Sequence, residues 1–450
     1  MTSLDDLSAG LPAGSLRVDP EVVLGYASDT ADLVQAGTAC AVVTARTVED
    51  VQHVMRWASA ARVPVIPRGA GTGLSGGATA VDGALVLDLS RMDRVLEIDP
   101  SNRLAVVEPG VVNAALSLAA QEHGLMFAPD PSSWETSTIG GNIATNAGGL
   151  RCVRYGATRA AVLGLDVVLA DGRLLHTGGR TAKRSAGYDL TGLFVGSEGT
   201  LGVVVGATVR LQAVPPPQVT ALLTFGAARD AAAAAAAIVV SGAPPTLLEL
   251  MDETTVRAVD AYRGTGFGPG VRAVLIAQVD EVPGAADLLE AAALAHGATD
   301  VALTTDLAEA RELLDIRRSA LPAKQQLGRT LVEDVCVPVS RLADLIEQVE
   351  QISRETGVVV SCVAHAGDGN AHPVLIVPEA ADGEAQVWAA ADRIFTAALE
   401  LGGTVSGEHG IGRLKRRWLA DEVGDTSLEV QRGIKAAFDP LGILNPGAVL

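Results

Sequence analysis

Two histidines, His365 and His372, stand seven positions apart in the segment HAGDGNAHP at 365–373. Imidazole nitrogens are common ligands of zinc and other divalent metals. On a helix seven residues climb about 10 Å, too far for both rings to reach one ion at about 2.1 Å. The flanks VVVSCVA and PVLIVP are typical of strands, and Asp368 with Gly369 forms a turn signal between them. In such a hairpin the two histidines could face each other and share a metal, with a third ligand from elsewhere; the alternative is an ordinary polar turn.

Composition narrows the class of protein. The 450 residues suffice for two or three domains, and a hydrophobic content of 48% predicts a globular chain. A net charge of −19, with no concentration of positive charge, argues against a nucleic-acid partner. The longest apolar run, 231–240, is about half a membrane span and predicts a buried helix, so no transmembrane segment is expected.

Cysteine usage bears on compartment and redox chemistry. The four cysteines are scattered without a CxxC pair, which excludes a cysteine-ligated iron–sulfur cluster within this chain. Together with an acidic N-terminus that lacks a signal-peptide pattern, this favours a cytoplasmic protein. The sequence is compatible with a homo-oligomer.

The pattern of elements predicts an α+β organisation in three parts. Residues 1–215 contain short strands and helices around glycine-rich loops, and the proline run VPPPQ at 214–218 is the clearest linker. Residues 216–406 show strand–helix–strand cycles, which predict a ferredoxin-like antiparallel sheet with helices on one face. Residues 407–450 form a short helical segment.

Three glycine-rich stretches lie at 68–77, 129–156 and 196–204. The first formally matches GxGxxG, but a nicotinamide site requires a helix directly after the loop. Here the sequence continues as a turn and then a strand, so the Rossmann interpretation fails. A nest of backbone N–H groups for a pyrophosphate and a plain tight turn both remain open for this loop alone. Three glycine-rich stretches so close together in the sequence are more than tight turns alone require. The second stretch predicts a long ordered loop.

These loops, together with HAGDGNAHP, SGEHGIG at 406–412 and the terminal FDPLGILNPG, resemble a known family. They are similar to the D-2-hydroxyacid dehydrogenase branch of the vanillyl-alcohol-oxidase superfamily, which has a PCMH-type FAD-binding fold. The branch includes glycolate oxidase FAD subunits, D-lactate dehydrogenases and D-2-hydroxyglutarate dehydrogenases. The resemblance implies a PCMH-type FAD domain over 1–215, a substrate domain over 216–406 and a C-terminal segment over 407–450 that returns to the FAD domain.

The same resemblance implies which residues bind FAD. The first loop would line the pyrophosphate, the second would wrap the ribityl chain and isoalloxazine, and the third would lie near the adenine or ribose. The implied residues are Arg68, Gly69, Ala70, Gly71, Thr72, Gly73, Ser75, Gly76, Asp130, Ser132, Ser133, Gly140, Gly141, Asn142, Asn146, Gly148, Gly149, Glu198, Gly202, Val203 and Asn445. Members that tether FAD covalently often use a histidine in the first loop, and none occurs here, so non-covalent FAD is expected.

The resemblance also implies the reactive residues. His365, His372 and Glu408 would bind a divalent metal, usually zinc, and His409 would be the general base for the substrate hydroxyl. Arg317 would bind the carboxylate, its alternative being a solvated helix arginine. The α-hydrogen of a 2-hydroxy acid would pass as hydride to flavin N5, yielding a 2-keto acid.

The sequence gives less direct information about the substrate and the electron acceptor. Relatives that act on D-2-hydroxyglutarate carry a lysine in the strand corresponding to TLVEDVCVP and an asparagine two residues after the second histidine; here the strand has no lysine and that position is Val374. D-lactate or glycolate is therefore favoured. The acceptor must be external: an iron–sulfur subunit, a quinone, an electron-transfer flavoprotein or oxygen. Alternatives are D-2-hydroxyglutarate oxidation, a sugar or aldonolactone oxidase, an ether-lipid synthase of the same superfamily, and a partner-dependent FAD subunit.

Overall fold

The computed structural model describes residues 3–450, which form two compact units. The first contains residues 3–148, 156–214 and 408–450, and the second contains Gly149–Tyr155 and Pro215–Gly407. Residues 149–155, which sequence analysis assigns to the first domain, therefore belong to the second unit. The reason is packing: Leu150 lies in a hydrophobic cluster of that unit, and Arg154 forms a 2.7 Å ion pair with Asp280.

Helices and strands occur throughout the described chain. The α-helices are α1 (Leu4–Ala9), α2 (Pro20–Gly25), α3 (Val48–Ala61), α4 (Asn113–Gln121), α5 (Ile139–Thr145), α6 (Cys152–Tyr155), α7 (Thr158–Ala161), α8 (Leu190–Phe194), α9 (Ala228–Val239), α10 (Glu253–Arg263), α11 (Ala285–Ala295), α12 (Leu307–Arg318), α13 (Ala320–Gln325), α14 (Leu342–Thr356), α15 (Gly383–Glu400) and α16 (Leu419–Phe438). The strands are β1 (Leu16–Arg17), β2 (Ala41–Thr44), β3 (Val65–Arg68), β4 (Leu85–Asp88), β5 (Val95–Asp99), β6 (Leu104–Val107), β7 (Leu125–Met126), β8 (Val162–Val168), β9 (Leu174–Gly178), β10 (Val203–Arg210), β11 (Gln212–Ala213), β12 (Gln218–Phe225), β13 (Leu247–Met251), β14 (Ala273–Asp280), β15 (Ala298–Thr304), β16 (Thr330–Val332), β17 (Val335–Cys336), β18 (Val360–His365) and β19 (Asn370–Ile376). None of the helices within residues 3–450 is long and apolar enough to cross a membrane.

The first unit contains a small sheet in the order β1-β2-β4-β3, in which β2, β4 and β3 run parallel. These strands are apolar and buried at nearly every position, as expected where both faces of a parallel sheet are covered. Helix α3 begins at a capping box formed by Thr47 and Asp50 and packs Val51, Val54 and Met55 into the core beside this sheet. The buried residues of α3 recur at helical spacing, as expected for an amphipathic helix.

A second, antiparallel sheet of the first unit has the order β5-β6-β10-β8-β9. Its core contains Phe127, Ile143 and Phe194, and Phe194 meets Phe438 of α16 edge to face with ring centroids 5.3 Å apart. The C-terminal helix is thereby tied to this core. Helix α16 is interrupted at Gly424, whose φ of 75° is not helical.

The second unit contains a large antiparallel sheet in the order β15-β12-β14-β13-β18-β19-β16, with β17 also paired to β19. The first four strands in chain order are arranged 4-1-3-2, the arrangement of a ferredoxin-like fold, and α9 and α11 follow β12 and β14 as crossovers. Helix α14 buries one face, whose apolar residues recur at helical spacing: Leu342, Leu345, Ile346, Val349 and Ile352.

The prediction of helices on one face of this sheet is incomplete. Leu247 and Met251 pack with α10, α12 and α13 on one face, in a cluster that includes Ile316 and Ala320. Because side chains alternate along a strand, Leu248 and Leu250 point to the opposite face, and they are equally buried while α9 contacts the same strand. Both faces are therefore covered by helices.

Candidate flavin and hairpin sites

The first glycine-rich loop connects β3 to β4 without an intervening helix among the described residues, as the rejection of the Rossmann interpretation predicts. Gly71 has a φ of 74°, a conformation that favours glycine, and a Cβ there would lie 2.1 Å from Nη2 of Arg68. Arg68 is buried over the ring of Tyr26 at 5.7 Å, and burial lowers the pKa of its guanidinium. The position of Arg68 at the start of a glycine-rich loop is suited to binding a phosphate group.

The second glycine-rich stretch contains a helix where sequence analysis predicts only a loop. Thr138 caps α5 by accepting a hydrogen bond from the backbone of Gly141, and Asn146 ends the helix in the left-handed conformation. Gly140 lies so close to Pro109 that a Cβ there would be 2.6 Å from the proline Cβ. The stretch therefore contains about two turns of helix, which Gly140 allows to approach Pro109 closely.

Buried polar atoms around α5 lack hydrogen-bond partners among residues 3–450. They are Nδ2 of Asn142, Oγ of Ser137 and Oδ1 of Asn113. Buried polar atoms are nearly always paired with protein groups, water or a ligand, so these three atoms are available to a polar ligand. The ribityl hydroxyls and ring nitrogens of FAD would supply donors and acceptors of this kind, and the residues present fit that cofactor.

The C-terminal segment is bound to the first glycine loop by hydrogen bonds within the first unit. The Ser75 hydroxyl lies 2.7 Å from the backbone oxygen of His409 and 2.9 Å from that of Gly410. Arg413 donates to the Gly76 carbonyl at 2.7 Å, and Asn445 donates to the Gly77 carbonyl at 2.7 Å. The segment that carries His409 is thus held against the loop predicted to bind the pyrophosphate. Arg413 was missed by sequence analysis, although it follows SGEHGIG directly.

Glu198 and Asn445 also have structural contacts that their predicted role in FAD binding does not include. The Glu198 carboxylate accepts hydrogen bonds from the backbone N–H groups of Ile411 and Gly412, and burial raises the pKa of this carboxyl to about 7. Asn445 donates to the Glu198 carbonyl at 2.7 Å. Their contact with FAD stays a prediction.

The other predicted cofactor residues are spread over both units. Ala70, Thr72, Gly73, Gly69 and Gly76 lie in the first loop, Asp130, Ser132 and Ser133 precede α5, and Gly148 follows it. Val203 begins β10, and Gly202 directly precedes it. The Val203 side chain is fully buried in the core beside α3, so only its backbone could face a ligand. Gly149 belongs to the second unit. Gly148 lies beside Glu408, because a Cβ there would be 2.1 Å from its Oε2.

In the second unit, β18 and β19 form the predicted hairpin, with Gly369 at its turn in a left-handed conformation (φ 81°). The two histidines do not stand directly opposite: His365 pairs with Asn370, and His372 pairs with Val363. They are diagonal neighbours on one face, with ring centroids 5.0 Å apart and ring planes at 84°. One ligand nitrogen of each lies within 4.8 Å of the other. Two nearly buried imidazoles at this separation fit a divalent metal by the chemistry of their donors.

A buried carboxylate lies close to each of the two histidines. Glu249 on β13 pairs directly opposite His365, and its Oε1 lies 2.7 Å from Nδ1 of that ring. Asp334 lies 3.7 Å from Nδ1 of His372 and accepts a 2.9 Å hydrogen bond from the Ser406 hydroxyl. Sequence analysis missed both carboxylates. The signal for Glu249 was present, because it is the one acid within the apolar strand TLLELM.

Arg317, predicted to bind the substrate carboxylate, is paired inside the second unit. Its Nη2 lies 2.8 Å from Oε2 of Glu249, and its side chain is only 11% exposed, so the alternative of a solvated helix arginine is wrong. The contact is an ion pair rather than a well-aligned hydrogen bond, since this carboxylate oxygen has no hydrogen bond of normal geometry. Nε of Arg317 has no hydrogen-bond partner within residues 3–450.

A second buried cation lies in the same unit. Lys324 on α13 is fully buried, burial lowers the pKa of its amine to about 8, and its Nζ has no hydrogen-bond partner within the described chain. The buried Asp252 opposes this shift by its charge, while its carboxylate accepts hydrogen bonds from the backbone of Thr255 and Cys362. The interior of this unit therefore contains ionisable groups of both signs.

The fold agrees with that of flavoenzymes of known structure. p-Cresol methylhydroxylase, solved with its substrate bound, superimposes with a TM-score of 0.82 at 18% identity, covering 99% of this chain and 96% of that chain. 4-Ethylphenol oxidase from Gulosibacter chungangensis gives a TM-score of 0.79 at 22% identity, over 99% and 96% of the two chains. At these identities the likeness is one of fold, and it confirms the predicted α+β architecture with a PCMH-type FAD domain.

Sequence relatives define the class further. Residues 39–178 match the FAD binding domain family, and residues 214–449 match the C-terminal domain of FAD linked oxidases. The glycolate oxidase subunit GlcD of Bacillus subtilis is 40% identical over 413 residues, covering 90% of this chain and 88% of that protein. A D-lactate dehydrogenase of Archaeoglobus fulgidus is 37% identical over 415 residues, 91% of either chain. The chain is an FAD-dependent oxidoreductase, and it belongs to the FAD-linked oxidase family.

Proposed function

We propose that this enzyme oxidises a small D-2-hydroxy acid, D-lactate or glycolate, to the 2-keto acid, with FAD bound non-covalently and assisted by a divalent metal. The observation that carries the metal is the pair of nearly buried imidazoles on one face of the hairpin, 5.0 Å apart. The names of the relatives support the substrate class, since they are glycolate oxidase subunits and D-lactate dehydrogenases. Val374, two residues after His372, favours a substrate without a distal carboxylate.

His365, His372 and Glu408 would hold the metal, with zinc as the first candidate. Gly407 lies against the side chain of Asn370 in the hairpin, and Glu408 is the next residue in the chain. Two imidazoles and one carboxylate leave coordination positions open for substrate oxygens. When bound, such an ion would supply Lewis-acid polarisation of the hydroxyl and carboxylate of the substrate.

His409 would take the hydroxyl proton, because an imidazole titrates near neutral pH and can act as a base there. Its backbone oxygen accepts a hydrogen bond from Ser75, which would limit its movement relative to the flavin loop. Arg317 would orient the substrate carboxylate. Its Nη2 pairs with Glu249, so its Nε would be the donor to the substrate. FAD supplies the acceptor for the hydride that leaves the α-carbon.

An external acceptor would reoxidise the flavin. The four cysteines are Cys40, Cys152, Cys336 and Cys362; they lie apart in the sequence and supply no set for an iron–sulfur cluster. We propose that an iron–sulfur subunit, a quinone or an electron-transfer flavoprotein takes the electrons, and that the chain works in the cytoplasm.

The test is anaerobic mixing of the purified chain with D-lactate, L-lactate, glycolate and D-2-hydroxyglutarate in turn, following the visible flavin absorbance. We expect bleaching by D-lactate or glycolate, suppressed by a metal chelator. His409→Ala should retain FAD and lose reduction, whereas His372→Ala should lose metal and reduction together. Bleaching by none of these acids would refute the substrate class, and full reduction in a metal-free His372→Ala variant would refute the role of the metal.

A further inference from the structure

Glu249 occupies an unusual position for an acidic residue. It lies in the middle of the five-residue strand β13, is 1% exposed, and its neighbours on that strand are leucine and methionine. Burying a carboxylate is costly unless it is paired and hydrogen-bonded. Leucine would fit the pattern of this strand better than glutamate, so a specific partner must account for the acid.

That partner is fixed by the register of the sheet. Glu249 on β13, His365 on β18 and Asn370 on β19 stand in one row across three neighbouring strands. Residues directly opposite in an antiparallel pair have their side chains close together on the same face. The carboxylate consequently meets the imidazole of His365 at 2.7 Å, through Nδ1.

This contact determines which nitrogen of His365 can bind a metal. Nδ1 donates its hydrogen to the carboxylate, so Nε2 carries the lone pair and the ring cannot turn without breaking the bond. Asp334 lies 3.7 Å from Nδ1 of His372, beyond hydrogen-bond range. Of these two carboxylate contacts, the one at His365 is therefore the better suited to hold a ring in place.

Arg317 holds the carboxylate from its other side. Its guanidinium lies 2.8 Å from Oε2 of Glu249, while Oε1 accepts from His365. The residues form a line, Arg317–Glu249–His365, whose members come from α12, β13 and β18. The residue predicted to bind the substrate carboxylate and the residue predicted to bind the metal thus share one buried carboxylate.

We propose that Glu249 is a positioning residue: it fixes His365 with Nε2 available to a divalent cation, and it couples the orientation of His365 to that of Arg317. This inference rests on the proposed metal site, and it concerns a residue outside that ligand set. Outer carboxylates of this kind typically change metal affinity about 10- to 100-fold when removed.

The experiment measures zinc affinity rather than turnover. The full chain with FAD is stripped of metal by a chelator, and Zn²⁺ is titrated in competition with a chromophoric chelator. The variants are Glu249→Gln, which keeps the volume without the charge, and Glu249→Asp, which keeps the charge but withdraws it from His365. Glu108→Gln is the matched control, because Glu108 is also a buried carboxylate paired with an arginine, at 2.7 Å from Arg94. The visible flavin absorbance reports whether each variant keeps its cofactor and fold.

We expect zinc binding to weaken about 10- to 100-fold in both Glu249 variants and to stay within twofold in Glu108→Gln, with FAD retained throughout. Zinc affinity within twofold of the wild type in Glu249→Asp would overturn the inference if His372→Ala abolishes binding. If instead His372→Ala binds zinc as the wild type does, the proposed metal site itself is wrong. If Glu249→Gln fails to fold, Glu249→Asp alone decides.

Discussion

The two units hold their functional residues in different ways. In the first, the loops predicted to bind FAD are fixed by hydrogen bonds from side chains to backbone carbonyls, as from Arg413 to Gly76. Glycines packed against neighbours also fix them, as between Gly140 and Pro109. In the second, the hairpin histidines lie among buried charges such as Glu249, Arg317 and Asp334. A large anionic cofactor can be bound by many backbone N–H groups, whereas two metal-binding rings need individual partners to orient them. The difference predicts that added methyl groups harm the first unit and that removed charges harm the second.

The largest expected effect is at the hairpin turn of the second unit, where a close backbone contact requires glycine. In Gly369→Ala, the new Cβ would lie 2.0 Å from the Val337 carbonyl at a φ of 81°. We expect the free energy of unfolding to fall by more than about 4 kcal/mol. Gly357→Ala is the control, since it has a φ of 73° but nothing within 4 Å of the Cβ, and should cost only about 1 kcal/mol. Urea denaturation measures both; equal costs would show that the Val337 contact relaxes freely.

Removing a buried cation tests the second unit directly. Arg317→Met leaves the fully buried Glu249 carboxylate without its counter-charge, which should lower the free energy of unfolding by about 3 kcal/mol. Arg180→Met removes a surface pair with Glu97, whose partners are 54% and 39% exposed, and should cost less than about 1 kcal/mol. Thermal and urea denaturation compare the variants. Similar losses of unfolding free energy in Arg317→Met and Arg180→Met would contradict the argument that removing buried charges harms the second unit.

Glu198 is one of the buried ionisable groups of the first unit, and a change of pH tests its effect on stability. Its folded-state pKa is raised to about 7 by burial, whereas the unfolded pKa is about 4.3. Between these values the unfolded chain releases a proton that the folded chain retains, so stability falls as pH rises from about 4 to 7, by about 2 to 3 kcal/mol. Glu198→Gln should abolish this loss of stability with rising pH. Glu122→Gln, at an exposed position, should leave the loss unchanged. Urea denaturation at several pH values measures the slope; an unchanged slope in Glu198→Gln would assign it to other groups.

The smallest effect separates two adjacent glycines of the first unit. Gly140→Ala brings a Cβ to 2.6 Å from Pro109 and should cost about 2 kcal/mol. Gly141→Ala meets only the Thr138 hydroxyl at 3.2 Å and should change the free energy of unfolding by less than about 0.5 kcal/mol. Thermal denaturation of the FAD-free chain compares them. A larger loss at Gly141 would contradict the packing argument.

Much of the local structure could be predicted from the sequence. The strand–turn–strand pattern of the hairpin, the face of α14 and the absence of a helix after the first loop follow from residue types at short spacing. The helix α5 was missed because glycines and hydroxyl residues are typical of loops, and only the Thr138 cap and the packing against Pro109 favour a turn of helix there. Residues 149–155 were assigned to the wrong side of a boundary that only long-range packing defines.

The sequence by itself predicted the class of this protein, because its glycine loops, its paired histidines and the segment SGEHGIG together resemble one family. Their spacing alone left a tight turn and a polar turn as alternatives. The sequence also placed His365 and His372 in one hairpin, since a short turn fixes its own register. Only the tertiary structure decided that Glu249 stands beside His365 and that Arg317 pairs with it, because these contacts join strands and helices far apart in the chain. Strand order brings such residues together, and no short-range signal encodes it.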